Sequence, residues 1–470
     1  MRPPCASRRR LSLILPPLAV LSGCATYSPL PLPARPDLAP GMPLTVDTQA
    51  LGLPKLRAYT FDTSHGLDMT EVAILAAVNN ADLKAKRRQR GVARAQLFAA
   101  SLLPDPQLSG GVDYPIGSGA GLSNAFNLGL SYGIRELILR DTRIAAARSG
   151  AQQVDLDVLW QEWQTVQKAR LLYVKALSQA LRLKLLQEVQ RLYTKRYAQS
   201  SAALKQGNLT LDVVGTDLTA VLDADTKLSQ TERDLNQTHH ALNALLGLTP
   251  SLQLPLRRLP RAPARISWAS YEAALGTLQR RRPDLLALQA GYRSQEAKVH
   301  RAVLGQFPSL SVGINRARDT SAVNTAGWGI TLNLPLFDGN RGQIAVQRAT
   351  RDQLRQEYQA RLDQTAVDAD RIRQEQVLIE RQVRRIQAHL PELERMVKSA
   401  ARAYETRSIE ALTYLNMRNT LVSKKIELVD LEESLWRATI TLDTLLGWPV
   451  PEDRGRKTEG RRWPTGASVE

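Results

Sequence analysis

Ala-Leu-Asn-Ala-Leu-Leu-Gly at residues 241–247 returns at residues 441–447 as Thr-Leu-Asp-Thr-Leu-Leu-Gly. Each phrase closes a half of the chain that is built in the same order. Two short segments with alternating apolar and polar residues come first, and a helical pattern far longer than a globular domain needs follows them. Internal repetition of this kind indicates a duplicated structural unit. We therefore predict two copies of a unit that joins a strand pair to a long helical hairpin.

The predicted strands alternate strictly between apolar and small or polar side chains. They are Leu108–Ile116 with Ala125–Ile134, and Leu310–Arg316 with Trp328–Leu336. Such faces fit a barrel with lipid outside and water inside, although a sandwich strand with one buried face has the same period. Four strands cannot close a useful barrel and open edges cannot lie in lipid, so a barrel requires several chains. The predicted lipid-facing residues are Phe126, Leu128, Leu130, Tyr132, Trp328, Ile330, Leu332 and Leu334.

The helical pattern after the first strand pair is unusually long. Glu136–Gln206 contains no proline, and after the turn signal Gly207-Asn208 it returns as Leu209–Leu246. About 70 residues make a rod of roughly 105 Å, whereas the returning helix supplies only about 57 Å. The short helix Ala81–Leu102, stacked on its end, would add about 30 Å.

The second unit repeats this arrangement with Gly342–Arg407, Ile409–Leu446 and the short helix Asp284–Gly305. Pro391 lies inside the longest of these segments, and we expect it to interrupt and kink that helix. Rods of this length that are not hydrophobic all round must pack against others in a cylinder or a coiled coil.

The N-terminus has the pattern of a secretion signal. Arg8-Arg9-Arg10 precedes the apolar run Leu11–Val20, which is too short to span a bilayer as a mature helix. The sequence that ends at Cys24 resembles a bacterial lipobox, which implies cleavage after residue 23 and lipid attachment at Cys24. An ordinary signal peptide with a chance cysteine is the alternative. The other cysteine, Cys5, would leave with the leader, so cysteine-based metal sites are excluded from the mature chain.

The charge and the polar residues point away from enzymes and nucleic acid. The net charge of +18 falls to +14 without the four leader arginines; a basic chain suggests nucleic acid, but secretion removes that partner. Three explanations of the positive charge remain: attraction to anionic lipid, a charged lining of a passage, and solvated helix faces rich in arginine. The adjacent His239 and His240 could be read as a metal pair, but their side chains point about 100° apart on a helix, so we interpret them as part of a solvated face. We predict no enzyme activity, no cofactor and no metal.

The domain organisation follows from these patterns. We predict a lipoprotein signal peptide over residues 1–23, a lipidated proline-rich arm over 24–66, a first repeat over 67–250, a linker over 251–269, a second repeat over 270–450 and a disordered tail over 451–470.

Several motifs match a known family. They are the repeat opening Arg282-Pro-Asp-Leu285, the strand entry at Gln306–Ser311, the strand-to-helix corner at Leu334–Gly339, and the two repeat ends. With these motifs the chain resembles the outer-membrane efflux family, the TolC-like and OprM-like channels, over residues 67–449. It is similar in particular to the lipoprotein branch of that family.

The resemblance implies a fold and a set of partners. The fold is mainly α with membrane β: a homotrimer in which each chain gives four strands to a 12-stranded β-barrel, above a periplasmic α-helical tunnel. The implied partners are two further copies of the chain, a periplasmic adaptor (membrane fusion protein), an inner-membrane transporter and outer-membrane lipid. The location would be the outer membrane of a Gram-negative bacterium, with the anchor at Cys24.

The hairpin turns are the expected contact with the adaptor. The predicted contact residues are Gly207, Asn208, Leu209, Thr210, Arg407, Ser408 and Ile409, and the predicted gate residues are Asp212, Asp217 and Glu410. Four positions depart from the family pattern: Arg135 replaces a corner proline, Arg407 replaces a turn glycine, and Ala411 and Tyr414 stand where tip acids would fall.

The predicted function is a passive exit duct of a tripartite efflux system that expels drugs or other small solutes. An outer-membrane component of a type I protein-secretion system is one alternative. An alternative of another class is a lipid-anchored coiled-coil tether without a pore, which does not explain the four alternating strands.

Overall fold

The computed structural model describes residues 27–41, 46–48, 51–57, 59, 61, 66–117, 121–258, 263 and 266–448. The predicted signal peptide, Cys24 and the tail over 451–470 lie outside the described residues, as do parts of the arm and the linker. The chain forms two compact units, residues 1–38 and residues 39–470. In the first unit, residues 27–38 are exposed and contain no helix or strand.

The second unit contains the duplicated architecture. In the described residues its elements are α1 (Pro54–Arg57), α2 (Met69–Asn79), α3 (Ala81–Ser101), β1 (Gln107–Asp113), β2 (Ala125–Gly133), α4 (Ile134–Lys205), α5 (Leu211–Leu245), α6 (Trp268–Leu275), α7 (Leu278–Arg281), α8 (Pro283–Leu304), β3 (Ser309–Arg318), β4 (Asn324–Asn333), α9 (Arg341–Glu405) and α10 (Ala411–Leu445). The order α3-β1-β2-α4-α5 returns as α8-β3-β4-α9-α10, so the predicted duplication is confirmed. None of the helices in the described residues combines the length and apolar character needed to cross a bilayer.

Both repeats contribute to one antiparallel sheet of order β1-β2-β3-β4, in which β2 pairs with β3 across the repeat boundary. The predicted strand ends need correction. β1 stops at Asp113, and β4 begins at Asn324 and stops at Asn333, so Leu334 lies beyond the strand. Pro115 and Pro335 follow these ends; proline has no amide hydrogen to donate to a ladder.

The two long helices leave the sheet and reach the hairpin turns. α4 has 72 residues and α9 has 65, which correspond to about 108 Å and about 98 Å. The prediction that Pro391 interrupts the second one is wrong, because α9 is continuous across it. One missing backbone hydrogen bond does not end a helix whose neighbouring Leu390 and Val397 are buried against α10.

The returning helices end where the short helices begin, as the length comparison predicted. In the first repeat, the Asn80 side-chain amide donates to the carbonyl of Leu245, the last residue of α5, at 3.1 Å. In the second repeat, Arg282 donates to the carbonyl of Leu445, the last residue of α10, at 3.2 Å. Asn80 and Arg282 are the N-caps of α3 and α8. Each short helix is therefore joined to a returning helix through a buried N-cap side chain.

The repeated glycines make these junctions possible. Gly247 and Gly447 have φ of +67° and +64°, and the amide that follows each one donates to a carbonyl five residues back, at 2.9 Å in both repeats. This is a Schellman ending, which favours glycine at the left-handed position. An added Cβ on Gly447 would lie 3.1 Å from Cγ of Arg282. Both the backbone conformation and the close approach therefore require glycine.

Arginines of α4 cap the last turns of both short helices. Arg140 donates to the carbonyl of Ser101 at 2.7 Å, and Arg143 donates to that of Leu102 at 2.7 Å. Arg135, at the corner where a proline was expected, donates to the carbonyl of Gly305 at 2.8 Å. Cations are favourable at helix C-termini, where carbonyls lack partners. Part of the positive charge of the chain therefore stabilises the helix ends beside the sheet.

A buried ion pair joins the two repeats between the middle of α4 and the last turn of α10. Arg170 on α4 and Asp443 on α10 lie 3.4 Å apart, and both are almost fully buried. Burial lowers the pKa of the Arg170 guanidinium, and the charge of Asp443 opposes that shift. Above this pair, Leu67, Tyr173 and Leu242 belong to a common hydrophobic core.

We predict that Gly447→Ala destabilises the protein by about 1–2 kcal/mol, because alanine disfavours the left-handed conformation and its Cβ crowds Arg282. Gly91→Ala is the matched control: Gly91 lies inside α3 with open space around it, so alanine should stabilise by up to about 1 kcal/mol. Thermal unfolding followed by circular dichroism measures both. Equal effects of the two substitutions would contradict the role assigned to Gly447.

Candidate functional site

The four-stranded sheet has two chemically different faces. Leu130 lies opposite Leu108 on β1 and Ile314 on β3, and Ile314 lies opposite Trp328 on β4. Opposite residues point to the same side of a sheet, so the apolar residues of all four strands share one face. Its side chains are largely exposed in the single chain, Trp328 by 75%. The predicted lipid-facing residues on this face are Phe126, Leu128, Leu130, Tyr132, Trp328, Ile330 and Leu332.

The opposite face consists of small and polar side chains, among them Ser109, Asn127, Ser131, Asn315 and Thr331. Two glycines on this face have neighbouring atoms so close that they leave no room for a side chain. A Cβ on Gly313 would lie 2.9 Å from the carbonyl oxygen of Leu130, and one on Gly129 would lie 2.8 Å from Oγ of Ser109. The face combines hydrogen-bonding groups with little side-chain volume, which suits contact with water.

The two hairpin turns have the same backbone geometry. Gly207 and Arg407 adopt φ of +75° and +59°. The next amide, of Asn208 or Ser408, donates to a carbonyl five residues back at 2.8 Å or 2.7 Å. The second turn therefore places an arginine where the first has glycine, and the left-handed conformation costs a non-glycine residue about 1–2 kcal/mol. The resemblance to the family identified Arg407 in place of a turn glycine, and the structure shows that this arginine adopts the left-handed conformation.

The predicted adaptor-contact residues form the outer surface of these turns. Gly207, Asn208, Leu209, Thr210, Arg407 and Ser408 are exposed, and Ile409 is half-buried. In the described residues, the guanidinium of Arg407 has no hydrogen bond or ion pair. The role of these residues in binding an adaptor stays a prediction.

The predicted gate residues occupy three different environments. Asp212 is exposed in the first turn of α5, where a hydrogen bond from the Thr210 hydroxyl lowers the pKa of its carboxyl. Glu410 is the exposed N-cap of α10. Asp217 is buried and pairs with Arg196 of α4 at 2.6 Å. Within one chain, these three carboxylates do not form a cluster, and a gate role for them stays a prediction.

A polar network near the second turn was missed by sequence reasoning. The rings of Tyr404 and Tyr414 stack with centroids 5.5 Å apart. Arg418 donates to the Tyr414 hydroxyl and to Glu188 of α4, both at 2.8 Å. The i, i+4 spacing of Tyr414 and Arg418 was a usable signal, whereas the contact with Glu188 spans 230 residues of sequence. The network ties the second hairpin to the first.

The contact between α9 and α10 contains one buried carboxylate. Buried residues of α9 recur at intervals of three and four, the spacing of a heptad seam, as in Gln376, Ile379 and Val383. Glu432 of α10 lies in this contact, where Gln387 donates to its Oε1 at 3.2 Å and its buried Oε2 has no partner. Burial raises the pKa of the Glu432 carboxyl to about 7, and the Gln387 hydrogen bond opposes the shift only in part.

The described residues contain no group of three or more histidine, cysteine, aspartate or glutamate side chains that could hold a metal ion. A cavity of about 350 Å³ lies between α9 and the start of α6 and is lined by Trp268 and Arg373. Arg373 stacks on the Trp268 ring at 4.5 Å, so its charge is already engaged. The sheet faces and the turns are the candidate functional surfaces.

The comparisons with known proteins agree with this geometry. The family model "Outer membrane efflux protein" matches residues 274–448, which is the second repeat. The chain is 28% identical to outer membrane protein OprJ of Pseudomonas aeruginosa, over 48% of this chain and 50% of that protein. It is 27% identical to the pyoverdine export outer membrane protein OpmQ of the same organism, over 46% and 48%. The chain spans about half the length of the curated relatives it matches.

Solved outer-membrane channels share the fold over nearly their whole length. The Campylobacter jejuni channel CmeC superposes with a TM-score of 0.68 at 17% identity, covering 90% of this chain and 95% of that one. CusC gives 0.67 at 18% identity, covering 87% and 99%. The fold likeness extends to the first repeat, which the family model does not reach. The second repeat therefore matches the outer membrane efflux protein family, and this match confirms the resemblance that the motifs predicted.

We predict that Arg407→Gly stabilises the protein by about 1 kcal/mol, because glycine adopts the left-handed conformation without strain. Arg407→Ala is the control, since it removes the same charge and keeps the strain. Chemical denaturation should show the gain for glycine alone. Equal stabilities of the two variants would show that the turn at Arg407 is unstrained.

We predict that lowering the pH from 8 to 5 stabilises the folded chain through Glu432. The folded pKa of about 7 exceeds the ordinary 4.5, so this contribution is complete below about 4.5 and is lost as the pH rises through about 7. Glu432→Gln should reduce the pH dependence of the melting temperature. At pH 8 the melting temperature of the variant should be higher than that of the unmodified protein. Burial also raises the pKa values of Asp430 and Glu433, so part of the dependence should remain.

The control for this experiment is Glu357→Gln, which changes an exposed carboxylate on α9. It should melt like the unmodified protein at both pH values. If Glu432→Gln also leaves the pH profile unchanged, the Glu432 carboxyl is ionised in the folded protein at neutral pH and is in contact with water.

Proposed function

We propose that this protein is the passive exit duct of a tripartite efflux system. Three copies form a 12-stranded barrel in the outer membrane, above a helical tunnel through the periplasm. An adaptor opens the periplasmic end, and the duct expels drugs or other small solutes. One observation carries the proposal: a sheet with one exposed apolar face and two unpaired edges continues directly into helices of about 100 Å.

The edges of the sheet support assembly into a ring. β1 and β4 pair on one side only in the described residues, so each presents free amide and carbonyl groups. In a hydrocarbon environment each unsatisfied group costs several kcal/mol. Pairing β1 of one copy with β4 of the next removes both edges, and three copies supply twelve strands.

The direction of the faces supports a water-filled interior. β2, β3 and β4 have 9 or 10 residues, which match the length that crosses a bilayer when tilted, and β1 is shorter at 7 residues. With the apolar face outward, Trp328, Ile330 and Leu332 contact lipid and the small polar face lines the lumen. The proposed lipid anchor at Cys24 would attach each chain to the membrane.

The hairpin turns are the proposed periplasmic entrance. The helices place them about 100 Å from the sheet, close to the Arg418–Tyr414–Glu188 network. Opening requires the second hairpin to move relative to the first, and this network opposes that movement. The exposed turn residues, led by Arg407 and Ser408, form the proposed adaptor contact. An inner-membrane transporter supplies the energy, since the duct is passive.

The proposed cargo class rests on likeness. One relative is named for pyoverdine export. On that likeness we propose that this chain exports small solutes rather than secreted proteins.

We predict that the purified protein in planar bilayers shows small, mostly closed conductance. Arg418→Ala should raise the open probability, because it removes the contacts to Tyr414 and Glu188 together. Arg385→Ala is the control: Arg385 is exposed on α9 and has no polar partner in the described residues. A third variant, Asp212→Asn with Glu410→Gln, tests the predicted carboxylates in the same recordings.

The outcomes separate the candidate functions. Conductance that rises only with Arg418→Ala supports a duct closed by the hairpin network. Steady conductance that no variant changes keeps the duct and rejects a gate at these residues. No conductance from a confirmed membrane-inserted oligomer rejects the duct and leaves the tether.

A further inference from the structure

Two arginines lie on the apolar face of the sheet. Arg316 is opposite Leu128 on β2 and Ala326 on β4, and Arg318 is opposite Phe126 and Asn324. These pairings put both arginines on the face that carries Ile314 and Trp328. Among the strand residues of that face they are the charged ones, and every other member is apolar, glycine, alanine or asparagine.

Their position along the sheet is specific. Both lie at the end of β3 next to the turn to β4, which is the end opposite the long helices. Residues i and i+2 on a strand are about 6.7 Å apart, so the two guanidinium groups can reach one phosphate or two neighbouring ones. Apolar residues fill the rest of the face toward the helices.

In the described residues, neither arginine has an acidic partner. Arg316 is exposed, and Nε of Arg318 is buried without a hydrogen-bond partner. The carboxylate of the adjacent Asp319 accepts the amides of Ser321 and Val323 in the turn, both at 2.9 Å. Asp113 of β1 belongs to the opposite face, because it pairs with Ala125. The face thus carries two positive charges that no described acidic residue of the chain neutralises.

We propose that Arg316 and Arg318 bind the phosphate groups of phosphorylated glycolipid in the outer leaflet of the outer membrane. This site rests on the proposed function, which turns the apolar face toward lipid and the β3–β4 turn toward the cell exterior. Charges on a lipid-facing strand are tolerated close to the interface and disfavoured at the midplane, which fits their position. Anionic headgroups supply the missing counter-charge, and guanidinium matches phosphate oxygens in a bidentate geometry.

Binding of diphosphorylated lipid A to the purified oligomer, measured by titration with native mass spectrometry, tests the site. The double variant Arg316→Gln with Arg318→Gln should bind about thirty-fold more weakly, which is about 2 kcal/mol at about 1 kcal/mol for each arginine. The control, Arg348→Gln with Arg385→Gln, removes two exposed helix arginines and the same net charge. It should bind like the unmodified protein.

A second measurement uses the unmodified protein with dephosphorylated lipid A, so the test does not depend on how the variant folds. The proposal expects weak binding of this lipid and recovery of phosphorylated-lipid binding in Arg316→Lys with Arg318→Lys. Equal binding of both lipids, or equal binding by the glutamine variant and its control, overturns the site.

Conductance recorded from the same preparations separates this inference from the proposed function. A conducting oligomer that does not discriminate phosphorylated lipid rejects the lipid site alone. A membrane-inserted oligomer without conductance rejects the duct, whereas the lipid titration still decides whether the arginines bind phosphate.

Discussion

The contact between the end of a returning helix and the start of a short helix governs this fold. A buried N-cap side chain, Asn80 or Arg282, gives the last carbonyl of the preceding helix the partner that it lacks inside a hydrophobic core. Two shorter helices can then lie along one long helix without a solvated gap between them. The sheet and the hairpin turns are at opposite ends of that long helix, so their separation depends on these junctions.

The two repeats solve the same geometric problems with different chemistry. Arg282 of the second repeat also pairs with Asp284 at 2.6 Å and stacks over Trp160 at 5.1 Å, whereas Asn80 is a neutral cap. At the turns, the first repeat has an unstrained glycine and the second a strained arginine. Conformational cost is tolerated at exposed functional positions when the surroundings hold it in place. The two repeats therefore differ in chemistry at both the junctions and the turns.

Much of this architecture was predictable because local patterns determine it. Alternation located all four strands, and repeated Leu-Leu-Gly endings located the junctions. Leu334 was misplaced because alternation continues past Pro335, which the ladder cannot include. The predicted interruption at Pro391 does not occur, because packing along α9 outweighs one lost hydrogen bond. Arg418 with Glu188, and Arg316 on the apolar face, depend on contacts distant in sequence or on strand register. Cys24 and the gate residues stay predictions.

The pairing of β2 with β3 has a consequence for how such an assembly could form. A lone repeat would supply one hairpin with two bare edges, so six separate molecules would have to meet to build twelve strands. Covalent fusion makes every second seam within one molecule, at an effective concentration in the millimolar range. The remaining encounters fall from six to three, which weakens the dependence of assembly on the number of chains in the membrane. The duplication thus favours assembly, because it shortens the time for which edge strands remain unpaired.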